Sequence, residues 1–177
     1  MKRAKLLLIV VLMTMMMAVM CCAEAATYPM TMNNGNLVLV DARMGYALYV
    51  DRSSVAVQRY QPPDYQIAIN IVGIRFSDDY WTKHNAYVGG PYEVSNVHTA
   101  AFRYNWVRKA VMHQHRDGTW HHWNINKFNS HADGDPFVPY AAETAFVAAY
   151  NMRFYNNIKG YDGRRVINEG FYRTLGI

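Results

Sequence analysis

The sequence predicts an α+β fold: an antiparallel β-sheet meander with one C-terminal helix packed on one face. Three observations support this prediction. Segments rich in β-branched and aromatic residues follow one another from residue 37 onward. Short turns separate these segments, and the apolar period changes to a helical one only after residue 139. We expect about six or seven strands, a number typical of such meanders.

The first half of the domain consists of strands joined by short turns. Arg43-Met44 is predicted to be one turn. Gln61-Pro62-Pro63-Asp64 is another, because proline has no backbone N–H to donate to a sheet. The segments predicted as strands here are Leu37–Ala42, Gly45–Asp51, Ser53–Tyr60 and Tyr65–Phe76.

The second half begins with a predicted loop, Ser77–Ser95, because apolar residues in it follow no period. Asp117-Gly118 then marks a hairpin, and Tyr140–Tyr155 has helical spacing, with Pro139 in its first turn. The tail after Lys159 has room for one short element. The strands predicted in this half are Val97–Trp106, Arg108–Gln114 and Trp120–Ile125.

Residues 1–25 have the three parts of a secretory signal peptide. A basic start precedes an apolar run from Leu6 to Met20, and small residues follow up to Ala25, after which we expect cleavage. Retention as a membrane anchor and lipidation at Cys21 or Cys22 are the alternatives. The expected location is the periplasm, the outer surface or the medium. Residues 26–36 then form a flexible leader and residues 37–177 a single domain.

Cleavage also sets the charge and the redox chemistry of the mature domain. The whole chain carries a formal charge of +5. Loss of three basic residues and Glu24 leaves 15 basic and 12 acidic residues, or +3. That excess is too small to predict a nucleic-acid partner. Both cysteines lie in the signal peptide, so the mature domain has no disulfide. No membrane span is expected after cleavage.

Several short motifs follow one another in a recognisable order. They are Tyr49-Val50-Asp51 with Ser53-Ser54-Val55, Phe102-Arg103-Tyr104 with Arg108, and then Trp120 and Pro139. Over Gly45–Tyr155 these motifs resemble the surface-adhesin protein E-like family of secreted bacterial proteins. The family's usual cysteine pair is absent, because Trp106 and Asn151–Phe154 contain none. The resemblance implies an exported, adhesin-like surface module and supplies no catalytic residue.

The histidines near Asp117-Gly118 are a candidate metal site. A two-residue turn would place His113, His115 and His122 on one sheet face, with His113 opposite His122. Three imidazoles could hold Zn²⁺ or Cu²⁺. A three-residue loop would instead bring His121 to that face. The competing interpretations are a solvated face of an exposed strand, which we favour, and a pH-sensitive surface, so no cofactor is predicted.

Aromatic residues form the candidate binding surface, because exposed aromatics on loops often bind a partner. The alternative is that these rings cover an otherwise bare sheet edge. The residues assigned to the surface are Tyr80, Trp81, Tyr87, Tyr92 and Trp120.

Other chemical signals are weak. Asp133-Gly134-Asp135 lacks the spacing of a calcium loop and is predicted to be a turn. Glu143 has no carboxylate partner at useful spacing and is expected to be solvated near the helix start. No catalytic residue is predicted. The sequence therefore favours an exported binding module for an extracytoplasmic protein or surface ligand, with a small metal-binding protein or metalloenzyme as the alternative.

Overall fold

The computed structural model describes residues 27–123, 137–160 and 163–177. The predicted signal peptide, with Cys21 and Cys22, lies outside the described residues, as does the predicted turn at Asp133-Gly134-Asp135.

The sheet has seven strands, and every neighbouring pair is antiparallel. Their order in space is their order in the chain, so the predicted meander and strand number are confirmed. The strands are β1 (Thr31–Met32), β2 (Leu37–Arg43), β3 (Tyr46–Gln61), β4 (Asp64–Phe76), β5 (Tyr92–Asn105), β6 (Ala110–Gln114) and β7 (Trp120–Trp123).

One long strand, β3, replaces the two strands predicted over 45–60. Its pairing with β4 shifts between Asp51 and Ala56. At this irregularity the Ser54 hydroxyl donates to the Asp51 carbonyl at 2.6 Å and accepts the Asn70 N–H at 2.8 Å. The Ser54 side chain thus replaces part of the backbone hydrogen bonding between β3 and β4. The strand therefore continues through the irregularity, although the alternation of residue types predicted that it would end there.

The structure has three helices among the described residues, where the sequence predicted one: α1 (Asp78–His84), α2 (Val138–Tyr150) and α3 (Glu169–Leu175). The predicted loop Ser77–Ser95 is therefore wrong in part, because it contains α1 and the start of β5. The Ser77 side chain accepts the Tyr80 N–H and caps α1. The short element expected in the tail is α3.

Helix α2 is shorter than the predicted Tyr140–Tyr155. Asn151 adopts a left-handed conformation with φ 52°, and its N–H bonds back to the Val147 carbonyl, which ends the helix. Pro139 lies in the first turn, where a missing N–H costs nothing.

On one face of the sheet, α2 contacts β3 and β4. The Phe146 ring contacts Tyr65 and Tyr104, and the Tyr104 hydroxyl donates to the Ala142 carbonyl at 2.8 Å. From α3, Phe171, Tyr172 and Leu175 join the same buried cluster. We call this side of the sheet the helix face.

The opposite face is covered at one end only. Val72, Ile74 and Phe76 of β4 are buried there under Tyr87 and Tyr28. Segment 27–32 is held in place, since the Tyr49 hydroxyl donates to the Pro29 carbonyl and the Gly45 N–H donates to the Tyr28 hydroxyl, both at 2.8 Å. The leader predicted to be flexible thus packs on the sheet, a contact between distant residues that local composition does not reveal.

Further along β4, the same face carries Gln66 and Asn70, which no helix covers in the described part of the chain. We call this uncovered half the open face. None of the described helices is long and apolar enough to cross a membrane.

Candidate functional site

The open face is built from a row of side chains that crosses five strands. Each residue of the row is paired directly with the next one on the neighbouring strand. In order from β3 to β7, the residues are Arg59, Gln66, Arg103, Met112 and His122. Directly paired residues in a sheet project to the same side. The five residues, which we call the Arg103 row, therefore stand side by side at about the 4.8 Å spacing of strands.

A cavity of about 340 Å³ lies along this row. All five residues of the row line it. A second, parallel row contributes Asp64, Asn105 and Ala110, which are paired across β4, β5 and β6, and Arg108 joins from the turn after β5. The cavity is within the size range of sites for small ligands.

Cross-strand hydrogen bonds hold the side chains of the cavity in place. The Arg103 Nε–H donates to Gln66 Oε1 at 2.9 Å, and Gln66 Nε2 donates to Gln58 Oε1 at 2.5 Å. In the second row, Asn105 Nδ2 donates to Asp64 Oδ1 at 2.7 Å. A network of this kind orders long side chains before any ligand arrives, which lowers the entropy lost on binding.

The cavity is electropositive. Three arginines line it (Arg59, Arg103 and Arg108), against one carboxylate, Asp64. Within the described residues, none of these arginines lies within ion-pair distance of a carboxylate; the two ion pairs found there join Arg153 and Arg165 to Glu169. Arg59 donates to the neutral oxygen of Gln61. Among the residues that the structure describes, the lining of the cavity therefore carries more positive than negative charge.

Trp120 is the one residue of the predicted aromatic surface that belongs to this region. The guanidinium carbon of Arg103 lies 3.8 Å from the centre of the Trp120 ring, a cation–π contact. The Arg103 guanidinium therefore contacts the Trp120 ring, and the same residue lines the cavity.

The remaining residues of the predicted aromatic surface lie at the other end of the sheet. Tyr87 is buried, and Trp81 stacks on it at 4.8 Å. Tyr80 stacks on His84 at 4.1 Å, and Tyr92 is half exposed. Trp81 and Tyr87 therefore pack over the face of the inner strands β3 and β4 and not over a sheet edge, and the set does not converge with Trp120 on a single surface.

The histidine hairpin has a different register from the one first expected. His113 pairs with His121, and Met112 pairs with His122. The loop is therefore one residue longer than the two-residue turn, and the grouping of His113 and His115 with His122 is wrong. His122 stands on the open face in the Arg103 row, while His121 joins the helix-face side, as the three-residue alternative predicted.

His113, His115 and His121 lie close together on that side. The rings of His115 and His121 stack with centroids 3.8 Å apart, and the His113 centroid is 4.7 Å from that of His115. The His121 Nε2 lies 2.9 Å from the Thr119 hydroxyl. Across the described residues, no three or more histidine, cysteine, aspartate or glutamate side chains are arranged to hold a metal ion.

Glu143 is fully buried, so its expected solvation is wrong. Its two oxygens accept the backbone N–H groups of Phe154 and Tyr155. Burial raises its pKa to about 7, with the backbone donors acting against that rise. The groups that interact with it, the Phe154 and Tyr155 N–H groups and Lys109, lie outside the helix, so helix position alone suggested the wrong environment.

Sequence reasoning did not assign Arg59, Gln66 and Arg103 to a site. Arg103 and Arg108 appeared only in the motifs of the family resemblance. The sequence does not show how the strands are aligned with one another. These three polar residues are far apart in the chain and become neighbours only through the pairing of β3 with β4 and of β4 with β5.

Comparisons with protein-family models, with curated proteins and with solved structures found no match to this chain.

Proposed function

We propose that the protein is exported and acts as a small, adhesin-like binding module whose ligand lies on the open face of the sheet. The observation that carries the proposal is the Arg103 row, five side chains from five strands that line one cavity of about 340 Å³. A site built on paired strands holds its side chains more precisely than a loop does.

Two further features support this function. Polar side chains of the cavity are already ordered by hydrogen bonds to one another. The resemblance to the surface-adhesin protein E-like family and the predicted signal peptide point to the same class of extracytoplasmic binding protein. The partner is an extracytoplasmic protein or surface ligand that presents a small group to the cavity.

The test is a binding screen that reports position. The exported form of the full chain, labelled with ¹⁵N, is titrated with a library of small polar fragments and followed by NMR. We expect hits to shift the amide signals of Gln66, Arg103 and Met112. Hits that cluster instead at the second cavity, of about 270 Å³ between Leu39 and Phe171, would contradict the proposal.

A matched pair of variants makes the screen decisive. Met112→Trp fills the cavity, and Val97→Trp adds the same ring at an exposed position of β5 outside it. Binding should be lost in the first variant and kept in the second, with dispersed spectra showing that both are folded. Equal binding by the two variants would exclude the open face as the ligand site.

A further inference from the structure

The charge and geometry of the cavity also indicate which ligand it takes. The three cavity arginines carry three positive charges against the single charge of Asp64, and no described carboxylate pairs with them. Asp64 already accepts the Asn105 amide. A cavity with excess positive charge attracts an anion, and because all three arginines are exposed, added salt screens that attraction.

Arg103 is the best-placed group to bind that anion. Its Nε–H donates to Gln66 and its guanidinium carbon lies over the Trp120 ring, and the two contacts together restrict the orientation of the group. No described residue accepts a hydrogen bond from its two η nitrogens. A fixed guanidinium with donors available matches the two oxygens of a carboxylate.

The rest of the lining suits an uncharged polar body attached to the anion. Gln66, Asn105 and His122 present hydrogen-bonding groups, and Met112 presents an apolar surface between them. Phosphate sites commonly use backbone N–H groups at a helix start or loop. The row lies inside a paired sheet, where the ladder engages the backbone, so a carboxylate is favoured over a phosphate.

We propose that the open-face cavity binds a carboxylate-bearing ligand about the size of one sugar ring, such as a hexuronate, with Arg103 as the principal contact and Arg59 and Arg108 supplying further positive charge. The inference rests on the proposed binding function and adds the chemical class of the ligand.

The experiment is calorimetric titration of the exported protein with glucuronate at low ionic strength. Glucose and glucose 6-phosphate are the comparison ligands. We expect glucuronate to bind, glucose not to bind, and added salt to weaken the binding because exposed charges are screened. Tighter binding of glucose 6-phosphate would overturn the choice of carboxylate, and absence of binding by both anions would overturn the anionic class.

Variants locate the contact. Arg103→Gln should weaken glucuronate binding by about tenfold or more, and Arg103→Lys should also weaken it because the planar fork is lost. Arg75→Gln removes the same charge from an exposed site on β4, roughly 30 Å along the strand from Gln66, and should leave affinity unchanged. Equal losses in Arg103→Gln and Arg75→Gln would reduce the effect to overall charge and contradict the proposal.

The glucuronate titration and the fragment screen test different claims, and one can fail without the other. Neutral fragments that bind at Met112 while glucuronate does not would leave the binding function standing and overturn the anionic ligand. Absence of every ligand from the open face would contradict both.

Discussion

The carboxylate of Glu143 accepts the backbone N–H of Tyr155 at 3.0 Å, inside the protein. Its other oxygen accepts the Phe154 N–H at 2.9 Å. Two donors that follow the end of α2 are thereby satisfied by a side chain within that helix. Burial raises the Glu143 pKa from 4.5 to about 7, opposed by these donors and by the positive charge of Lys109.

This raised pKa predicts a pH-dependent stability. Between about pH 4.5 and 7 the folded state holds a proton that the unfolded state has released, so the contribution of Glu143 is largest below 4.5 and declines as pH rises to 7. The decline should reach at most about 3 kcal/mol. Urea unfolding of the wild type and of Glu143→Gln at pH 5, 6, 7 and 8 measures it.

The relevant quantity is the difference in free energy of unfolding between the wild type and the variant at each pH, because it isolates the replaced side chain. For Glu143→Gln, this difference in free energy of unfolding should change with pH. For Glu93→Gln, which alters an exposed glutamate on β5, the difference should stay constant. A constant difference for Glu143→Gln would show that the buried carboxylate does not titrate in this window.

Phe146→Ala should lower the free energy of unfolding by about 3–5 kcal/mol, because removal of a buried ring leaves a cavity. The ring is 1% exposed and contacts Tyr65, Tyr104 and Phe154. Denaturant melts measure the loss. Met152→Ala is the control, since that side chain is 48% exposed beyond the end of the helix. A loss below about 1 kcal/mol for Phe146→Ala would contradict its place in the core.

Local patterns in the sequence were enough to predict most of the sheet. The alternation in 65–76 reproduces β4 within one residue, and the Asp117-Gly118 hairpin joins β6 and β7 as expected. The helix α1 was missed although its signals are present: Ser77 caps it, and Asp78 and Asp79 stand in its first turn. Its seven residues are too few for a period to be recognised.

Contacts between distant segments account for what the sequence could not predict. The loop near Asp117 is one residue longer than the predicted two-residue turn. His122 therefore lies in the Arg103 row and not on the same face as His113 and His115. Glu143 is fully buried and binds the backbone N–H groups of Phe154 and Tyr155, which its position on the helix does not indicate. The cavity itself depends on the register of five strands.

Export should remove the first 25 residues. The Ala23-Glu24-Ala25 sequence after a short apolar run is typical of a signal peptidase site, so the mature chain should begin at or within two residues of Ala26. Mass spectrometry of protein recovered from outside the cytoplasm measures the N-terminus. Replacing Ala25 by a bulky residue should block cleavage there. An intact N-terminus, or a lipid on Cys21 or Cys22, would contradict the prediction.

The histidine hairpin should not bind metal tightly at a one-to-one ratio. Imidazole lone pairs lie in the ring plane, and the rings of His115 and His121 stack at 3.8 Å with only 22° between their planes. Such rings direct their nitrogens side by side, whereas a zinc site needs them to converge on one ion at about 2.0–2.1 Å. One oxygen of the neighbouring Asp117 carboxylate, Oδ1, is already engaged by the N–H and hydroxyl of Thr119, which leaves a single oxygen to orient a ligating ring.

Titration calorimetry with Zn²⁺ tests this expectation on the purified protein and on His113→Ala. Weak, non-stoichiometric heats that are the same in both proteins are the expected result, since exposed imidazoles bind zinc loosely one at a time. His84→Ala is the matched control, because that histidine lies on α1 away from the hairpin. A one-to-one isotherm in roughly the micromolar range, lost in His113→Ala and kept in His84→Ala, would show that the rings rearrange around the ion and would favour a metal-binding function.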